Sequence, residues 1–321
     1  MSTEQNGGPA APRTLADDLR ARSDGALAEL LRARPDLLSP VPNDLTQLAT
    51  RAGTRASVVR AVERLDRFAL QTAEALAVSP DPCPYTTLAA LLPGEEAAAR
   101  LPRALETLRA RALLWGDDER LRLVRTAREL LAPTPASPSP TGLGPSLAEA
   151  TSGVSGMSPG RVQEILETVG LPGTHDPVSA LAALTSLFTD RERMAALLAQ
   201  APPESAAMLD KLTWGPPYGT VELDSPSAPV AWLLDHGLLV PTGAPRTVVL
   251  PREAALHLRE GRAHRVLEPV PPAVEAHREY GAEAVDAAAA GQAYTALTTL
   301  EELLGNWEAE PPAVLRAGGL A

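Results

Sequence analysis

Leucine, valine and alanine recur at helical spacing in segment after segment of this chain, and proline or glycine punctuates the segments. Leu27, Leu30 and Leu31 form one such face. So do Val58, Val59, Val62 and Leu65; Leu101, Leu105, Leu108 and Ala112; Leu181, Leu184 and Leu187; and Leu297, Leu300, Leu303 and Leu304. Each set follows a period near ~3.6 residues and marks one apolar side of a helix. Apolar sides must be buried against something, so the chain is expected to pack helix on helix. Apolar residues make up 45% of the 321, but aromatics only 3%, so the cores must be aliphatic. The 32 prolines and 23 glycines keep the helices short and leave loops between them.

Several function classes drop out. Cys83 is the single cysteine, which excludes an internal disulfide framework and any multi-cysteine metal site. No apolar run approaches the ~18–20 residues of a membrane span. The opening MSTEQNGGPAAPR lacks the apolar core of a secretory signal, so a cytoplasmic protein is expected, nucleoid-associated if it holds DNA. Lys211 is the only lysine and sits in AAMLDKLTWG, not in a GxxxxGK[ST] phosphate loop, so the chain is not a Walker-type ATPase.

The net charge of −11 is unevenly divided. Residues 1–136 carry 18 arginines and 18 acids, while residues 137–321 carry 10 arginines and Lys211 against 22 acids. Net repulsion opposes non-specific binding to a polyanion. Any nucleic-acid contact must therefore come from a local arginine patch, which is expected in the first part.

Along the chain, the sequence predicts a disordered tail over 1–13 and a helical, winged-helix unit over 14–131. A mobile Pro/Ser/Gly-rich linker over 132–157 follows, then a second winged-helix-like unit over 158–265 and a C-terminal helical element over 266–321. In the first unit, a short helix over 44–51, a turn at Gly53 and a helix over 55–67 make a helix-turn-helix candidate. The same spacing fits a plain helical corner. Helices over 68–78, 85–92 and 95–112 follow. Leu113-Leu114-Trp115 and Arg120–Val124 then flank Gly116-Asp117-Asp118, the pattern of a hairpin. The second unit also ends in a hairpin, with Leu238–Val240 and Thr247–Leu250 as its strands; WGPPYG (Trp214–Gly219) reads as a rigid loop. A last long helix is expected from Ala282 to Trp307. The fold class expected is thus mostly α: tandem winged-helix-like units with short β-hairpin wings and a C-terminal helical element.

Five stretches carry a resemblance: LLRARPDLLSPVPNDLTQLATRAGTRASVVRAVERLD (30–66), KLTWGPPYGTVE (211–222), PVAWLLDHGLLVP (229–241), VVLPREAALHLREG (248–261) and EPPAVLRAGGL (310–320). Together they resemble the N-terminal region of the large helicase-associated-domain proteins of high-GC bacteria, which carry an XPB-type helicase N-terminal-like domain. The resemblance implies DNA binding or association with a helicase. It also implies that the LRAGGL segment, with Gly318-Gly319 as a turn, leads into a further domain in a longer relative.

The candidate phosphate contacts are all arginines. Arg60, Arg64 and Arg67 lie at i, i+4, i+7 on the expected 55–67 helix, with Arg51 and Arg55 flanking its start. Pairing with Glu63 and Asp66 is the competing use of these side chains. Arg100, Arg103 and Arg111 line a second helix opposite its leucines. Arg120, Arg122 and Arg125 sit on or beside the hairpin, where Asp117, Asp118 and Glu119 at the tip oppose phosphate. Arg252, Arg259, Arg262 and Arg265 follow the second hairpin. His175, His236, His257, His264 and His277 show no metal-binding or catalytic spacing. Cys83 has no activating neighbour in sequence, and Trp214, Tyr218 and Trp232 suit packing better than base stacking. With no catalytic constellation and no cofactor motif, the reading is a non-enzymatic DNA-binding, helicase-associated module with DNA and a helicase or other protein as partners. The competing reading is a protein-interaction scaffold with an acidic second half and no DNA contact.

Overall fold

The computed structural model describes residues 12–133, 139–152, 157–174, 176–273 and 278–314. Most of the expected tail (1–11), parts of the expected linker (134–138 and 153–156), His175, His277 and the Gly318-Gly319 turn lie outside the described residues. Helix takes up 58% of the described residues and strand 5%, with small antiparallel sheets, so the mostly-α expectation holds. The chain divides into two compact units, Met1–Pro271 and Pro272–Ala321.

The first unit opens with α1 (Leu15–Ala21), α2 (Asp24–Ala33), a 3-10 turn at Pro35–Leu38, α3 (Leu45–Ala52) and α4 (Arg55–Val62). Thr14, Ser23 and Asp44 accept backbone N–H groups at the starts of α1, α2 and α3, satisfying donors that a helix leaves free. Leu19, Leu30, Leu37, Leu48 and Ala52 close a small core here. Then come α5 (Arg67–Val78), α6 (Tyr85–Leu91), α7 (Glu95–Ala110), β1 (Leu114–Trp115), β2 (Arg122–Leu123) and α8 (Arg125–Leu131). Every residue of α5 from Phe68 to Val78 is buried except Leu70, which is half-buried, so α5 is the post around which α7 and α8 pack.

The first hairpin matches its sequence pattern, with Leu114 opposite Leu123 and Trp115 opposite Arg122. Gly116 turns it at φ +89°, where a Cβ would stand 2.3 Å from the Arg120 carbonyl oxygen. Just before α6, Cys83 and Leu121 exchange backbone hydrogen bonds of 2.9 Å. The segment entering α6 thus lies beside the second arm of the hairpin.

The unit continues through α9 (Leu147–Thr151), α10 (Pro159–Thr168), α11 (Pro177–Thr189), α12 (Arg191–Leu198) and α13 (Pro203–Thr213). After these come β3 (Tyr218–Thr220), α14 (Ala228–Asp235), β4 (Val240–Pro241), β5 (Thr247–Val249) and α15 (Arg252–Leu258). The sheet order is β3-β5-β4. Tyr218–Thr220, expected as part of a rigid loop, is therefore a strand. It pairs antiparallel with β5, placing Tyr218 opposite Val249. Both hairpins consequently share one plan: an earlier extended segment lies against the second arm.

Two further expectations are corrected. The helix expected over 55–67 ends at Val62. Asp66 accepts from the Ala69 N–H and caps a new helix whose first residue is Arg67, so the run is broken between Val62 and Arg67. The expected mobile linker 132–157 is, over 139–152, part of the core. Ser139, Thr141, Leu143 and Leu147 are buried, and Ser146 and Glu149 form a capping box that starts α9. Leu143 and Leu147 pack with Ile165, Leu184, Phe188, Leu233 and Val249.

Two buried arginines fix this segment. Arg252 Nε donates to Gly144 O (3.1 Å), Nη1 to Val78 O at the end of α5 (3.0 Å) and Nη2 to Glu149 (2.9 Å). Arg259 Nε donates to Thr213 O (2.5 Å), Nη1 to Thr141 O (2.8 Å) and Nη2 to Gly142 O (2.9 Å). The stretches expected as separate units over 14–131 and 158–265 are bridged by 139–152 within one compact body.

Among its described residues the second unit holds one helix, α16 (Ala282–Ala309), longer by two residues than its sequence pattern suggests. None of its residues is buried.

Candidate nucleic-acid interface

Arginine can serve a phosphate only if its guanidinium is exposed and not already committed. The candidates divide sharply on that test. Arg51 is half-buried and its Nη1 donates to Leu37 O (3.1 Å), tying α3 to the 3-10 turn. Arg67 pairs with Glu268 at 3.0 Å, and Arg122 with Asp81 at 3.2 Å. Arg122 also lies over the Trp115 ring, 5.4 Å from its centre. Arg111 is half-buried at the end of α7, where its Nη1 donates to Thr107 O (3.4 Å). Arg125 pairs with Glu129 at 2.8 Å on the exposed side of α8.

Arg55, Arg60, Arg64, Arg100, Arg103 and Arg120 are exposed and make no ion pair among the described residues. Arg55 and Arg60 belong to α4. Arg64 sits in the turn after it, so Arg60, Arg64 and Arg67 do not share one helix face. The pairing of these side chains with Glu63 and Asp66 is not seen among the described ion pairs, and Asp66 is occupied as a cap. Arg100 and Arg103 stand on α7, opposite the buried Ala97, Leu101, Ala104, Leu105 and Leu108. Pro102 lies between them and takes one donor out of the helix ladder.

The hairpin is tied down. Asp118 O accepts from the Tyr85 N–H (2.7 Å), and the Asp118 carboxylate pairs with Arg109 of α7 at 2.8 Å. Arg109 also donates to Gly116 O (3.3 Å). One of the three acids expected to repel phosphate at the tip is thereby neutralised by the helix beneath it.

Above this core, α3, α4 and the α7–β1 turn are joined by Arg34, which is 1% exposed. Its guanidinium donates to Arg111 O (2.9 Å), Ala52 O (2.9 Å) and Ser57 Oγ (2.6 Å), and Ser57 in turn donates to Asp36. Burial lowers the Arg34 pKa, with Asp36 opposing that shift. Thr126 of α8 donates to Gly53 O (2.7 Å), at the turn between α3 and α4. The free arginines of α4 and α7 therefore ride on helices that buried polar contacts hold in fixed relation.

The second arginine group resolves differently. Arg252 and Arg259 are buried structural ties, so neither is available to a phosphate. Arg259 lies 4.4 Å from the Trp214 ring centre and Arg262 5.5 Å, so cations already occupy the tryptophan face. Burial pulls the Arg259 pKa down to about 10, which leaves it charged at neutral pH among carbonyl oxygens alone. Trp232 stacks on His236 with ring centres 3.9 Å apart, and Tyr218 is built into β3.

Sequence reading did not single out Arg34, Glu74 or Gln71. Glu74 is 2% exposed on α5, 3.7 Å from His264 Nε2, and burial raises its pKa to about 7 against the pull of Arg67. Gln71 donates to Val266 O (2.9 Å) and accepts from the Glu268 N–H (2.9 Å), strapping 263–268 onto α5. Cys83 is fully buried, and burial pushes its thiol pKa up, which keeps it protonated and unreactive. Among the described residues, no group of His, Cys, Asp or Glu is placed to hold a metal ion, and no helix is long and apolar enough to cross a membrane.

No family model and no curated protein matches this sequence.

Proposed function

We propose that this chain is a non-enzymatic DNA-binding module of the helicase-associated kind its sequence resembles. The observation that carries the reading is the pair Arg100 and Arg103: exposed, free of ion pairs among the described residues, and set on the helix that runs directly into a hairpin. Helix, extended segment, helix, helix and hairpin is the element order of a winged helix, in which the helix before the hairpin enters the major groove. In the second case one helix stands where the first has two, and the β3-β5-β4 order repeats the placing of an extended segment against the second arm. Arg55 and Arg60 on α4 supply a second basic face behind a helix-turn-helix-like corner.

Fluorescence anisotropy of a labelled duplex across a salt titration tests this. Binding is expected to weaken linearly in log K against log[salt]. Arg100→Glu with Arg103→Glu is expected to lower that slope by about two and weaken binding about tenfold or more at ~100 mM salt. Binding that ignores both this pair and Arg55→Glu with Arg60→Glu overturns the interface. No binding at ~20 mM salt overturns the DNA reading and favours the scaffold reading, which the excess of acids after residue 137 supports.

A further inference from the structure

α16 displays a regular apolar seam with nothing buried on it. Ala290, Ala293, Leu297, Leu300, Leu304 and Trp307 follow one another at alternating steps of three and four residues, the spacing of the a and d positions of a heptad. Ala289, Ala296 and Leu303 widen the seam along one flank. Leu297, Leu300 and Leu304 are 61%, 54% and 56% exposed. The seam is about 27 Å long.

The other flank is acidic. Tyr294, Glu301 and Glu308 occupy successive e positions, and Glu302 stands beside them. The helix contains Glu283, Asp286, Glu301, Glu302 and Glu308 and no lysine, arginine or histidine. A second copy of α16 therefore offers no cation to either orientation of pairing, and an antiparallel pair sets acidic flank against acidic flank. Gly291 and Gly305 each weaken the helix by about 1 kcal/mol relative to alanine, so a partner that covers the seam also stabilises it.

We infer that α16 docks a basic amphipathic helix of another polypeptide, whose apolar stripe covers Leu297, Leu300, Leu304 and Trp307 while its lysines or arginines face Glu301 and Glu308. Recognition is helix against helix, with apolar contact supplying affinity and the acidic flank supplying choice of partner. This inference stands on α16 alone and does not depend on the DNA reading.

The test uses the full chain and three synthetic peptides of about 21 residues. One carries a leucine a/d seam with lysine at e and g, one the same seam with glutamate at e and g, and one is a scramble of the lysine peptide. Anisotropy at about 50 mM salt is expected to show saturable binding of the lysine peptide, about tenfold or more tighter than either control. Helical circular dichroism is expected to exceed the sum of the parts. Leu300→Asp with Leu304→Asp is expected to cost about tenfold or more, and Glu301→Lys with Glu308→Lys to transfer preference to the glutamate peptide. The charge-reversed variant leaves the apolar seam intact, so its altered preference cannot be a loss of helix. Scramble binding as tight as the lysine peptide, or unchanged preference on charge reversal, overturns the proposal. So does a concentration-dependent dimer abolished by Leu304→Asp, which would make a second copy the occupant. Absence of peptide binding with Trp307 shielded from acrylamide overturns it in favour of the chain's own body.

Discussion

Arginine 259 shows how far a side chain's role can stand from its formal charge. Its guanidinium meets carbonyl oxygens of Thr213, Thr141, Gly142 and Ala263 and, among the described residues, no carboxylate. Lysine has the charge but not the planar fork, so it cannot satisfy these acceptors together. Arg259→Lys is therefore expected to destabilise the protein by about 3 kcal/mol, read as a lowered urea midpoint. Glu74 gives a pH signature of known sign. Its folded pKa of about 7 lies above the ordinary 4.5, so stability is full at acid pH and is lost as pH rises toward 7, where the unfolded chain ionises first. His264 acts in the opposite sense, because burial lowers its pKa and the folded state resists its protonation as pH falls below 6.5. Glu74→Gln removes the first slope alone. The variant is expected to gain on the parent by up to about 3 kcal/mol between pH 4.5 and 7 and to lose stability on acidification below 6.5, in denaturation curves taken across that range.

At the scale of elements, the hairpin of β1 and β2 was written plainly: two apolar runs around Gly-Asp-Asp. Gly116 is the one residue there that cannot be replaced, since its φ of +89° and the 2.3 Å approach of the Arg120 carbonyl both exclude a Cβ. Gly116→Ala is expected to cost about 2 kcal/mol or more and to release Asp118 from the Tyr85 N–H, visible as faster amide exchange at Tyr85. The starts of α1, α10, α11 and α12 also have local causes, since Thr14, Ser158, Asp176 and Asp190 each accept a backbone N–H there. The break between α4 and α5 was not legible, since Glu63 and Arg64 continue a helical pattern and only the cap at Asp66 interrupts it. β3 was hidden for another reason: Tyr218–Thr220 follows two prolines, and its strand character comes from β5 rather than from itself. The candidate site was half legible. Arg100 and Arg103 are seen as surface residues from the leucine period of their helix, while the commitments of Arg51, Arg67 and Arg122 depend on Leu37, Glu268 and Asp81, which are remote in sequence.

The whole body up to Pro271 is joined by contacts that run between its first and second halves. Arg252 reaches Val78, His264 reaches Gln71, and Ala263 donates to Leu91 O. Two independent winged units would melt in two steps. This arrangement is expected to melt in one, with Trp115 and Trp214 signals sharing a urea midpoint and far-UV circular dichroism following them, apart from the contribution of α16. Arg252→Met is expected to separate the two tryptophan transitions, because it removes a tie to α5 while leaving both cores filled. The capping box Ser146-Leu147-Ala148-Glu149 was the one local sign that the proline-rich stretch re-enters the fold.

That stretch bears on how the protein can be handled. A run of proline, serine and threonine is where an engineer would place an affinity tag, a protease site or new chain ends. Between Ser139 and Leu147 such an insertion would withdraw the carbonyls of Thr141, Gly142 and Gly144 from Arg259 and Arg252, leaving two buried guanidiniums with part of their hydrogen-bonding capacity unmet.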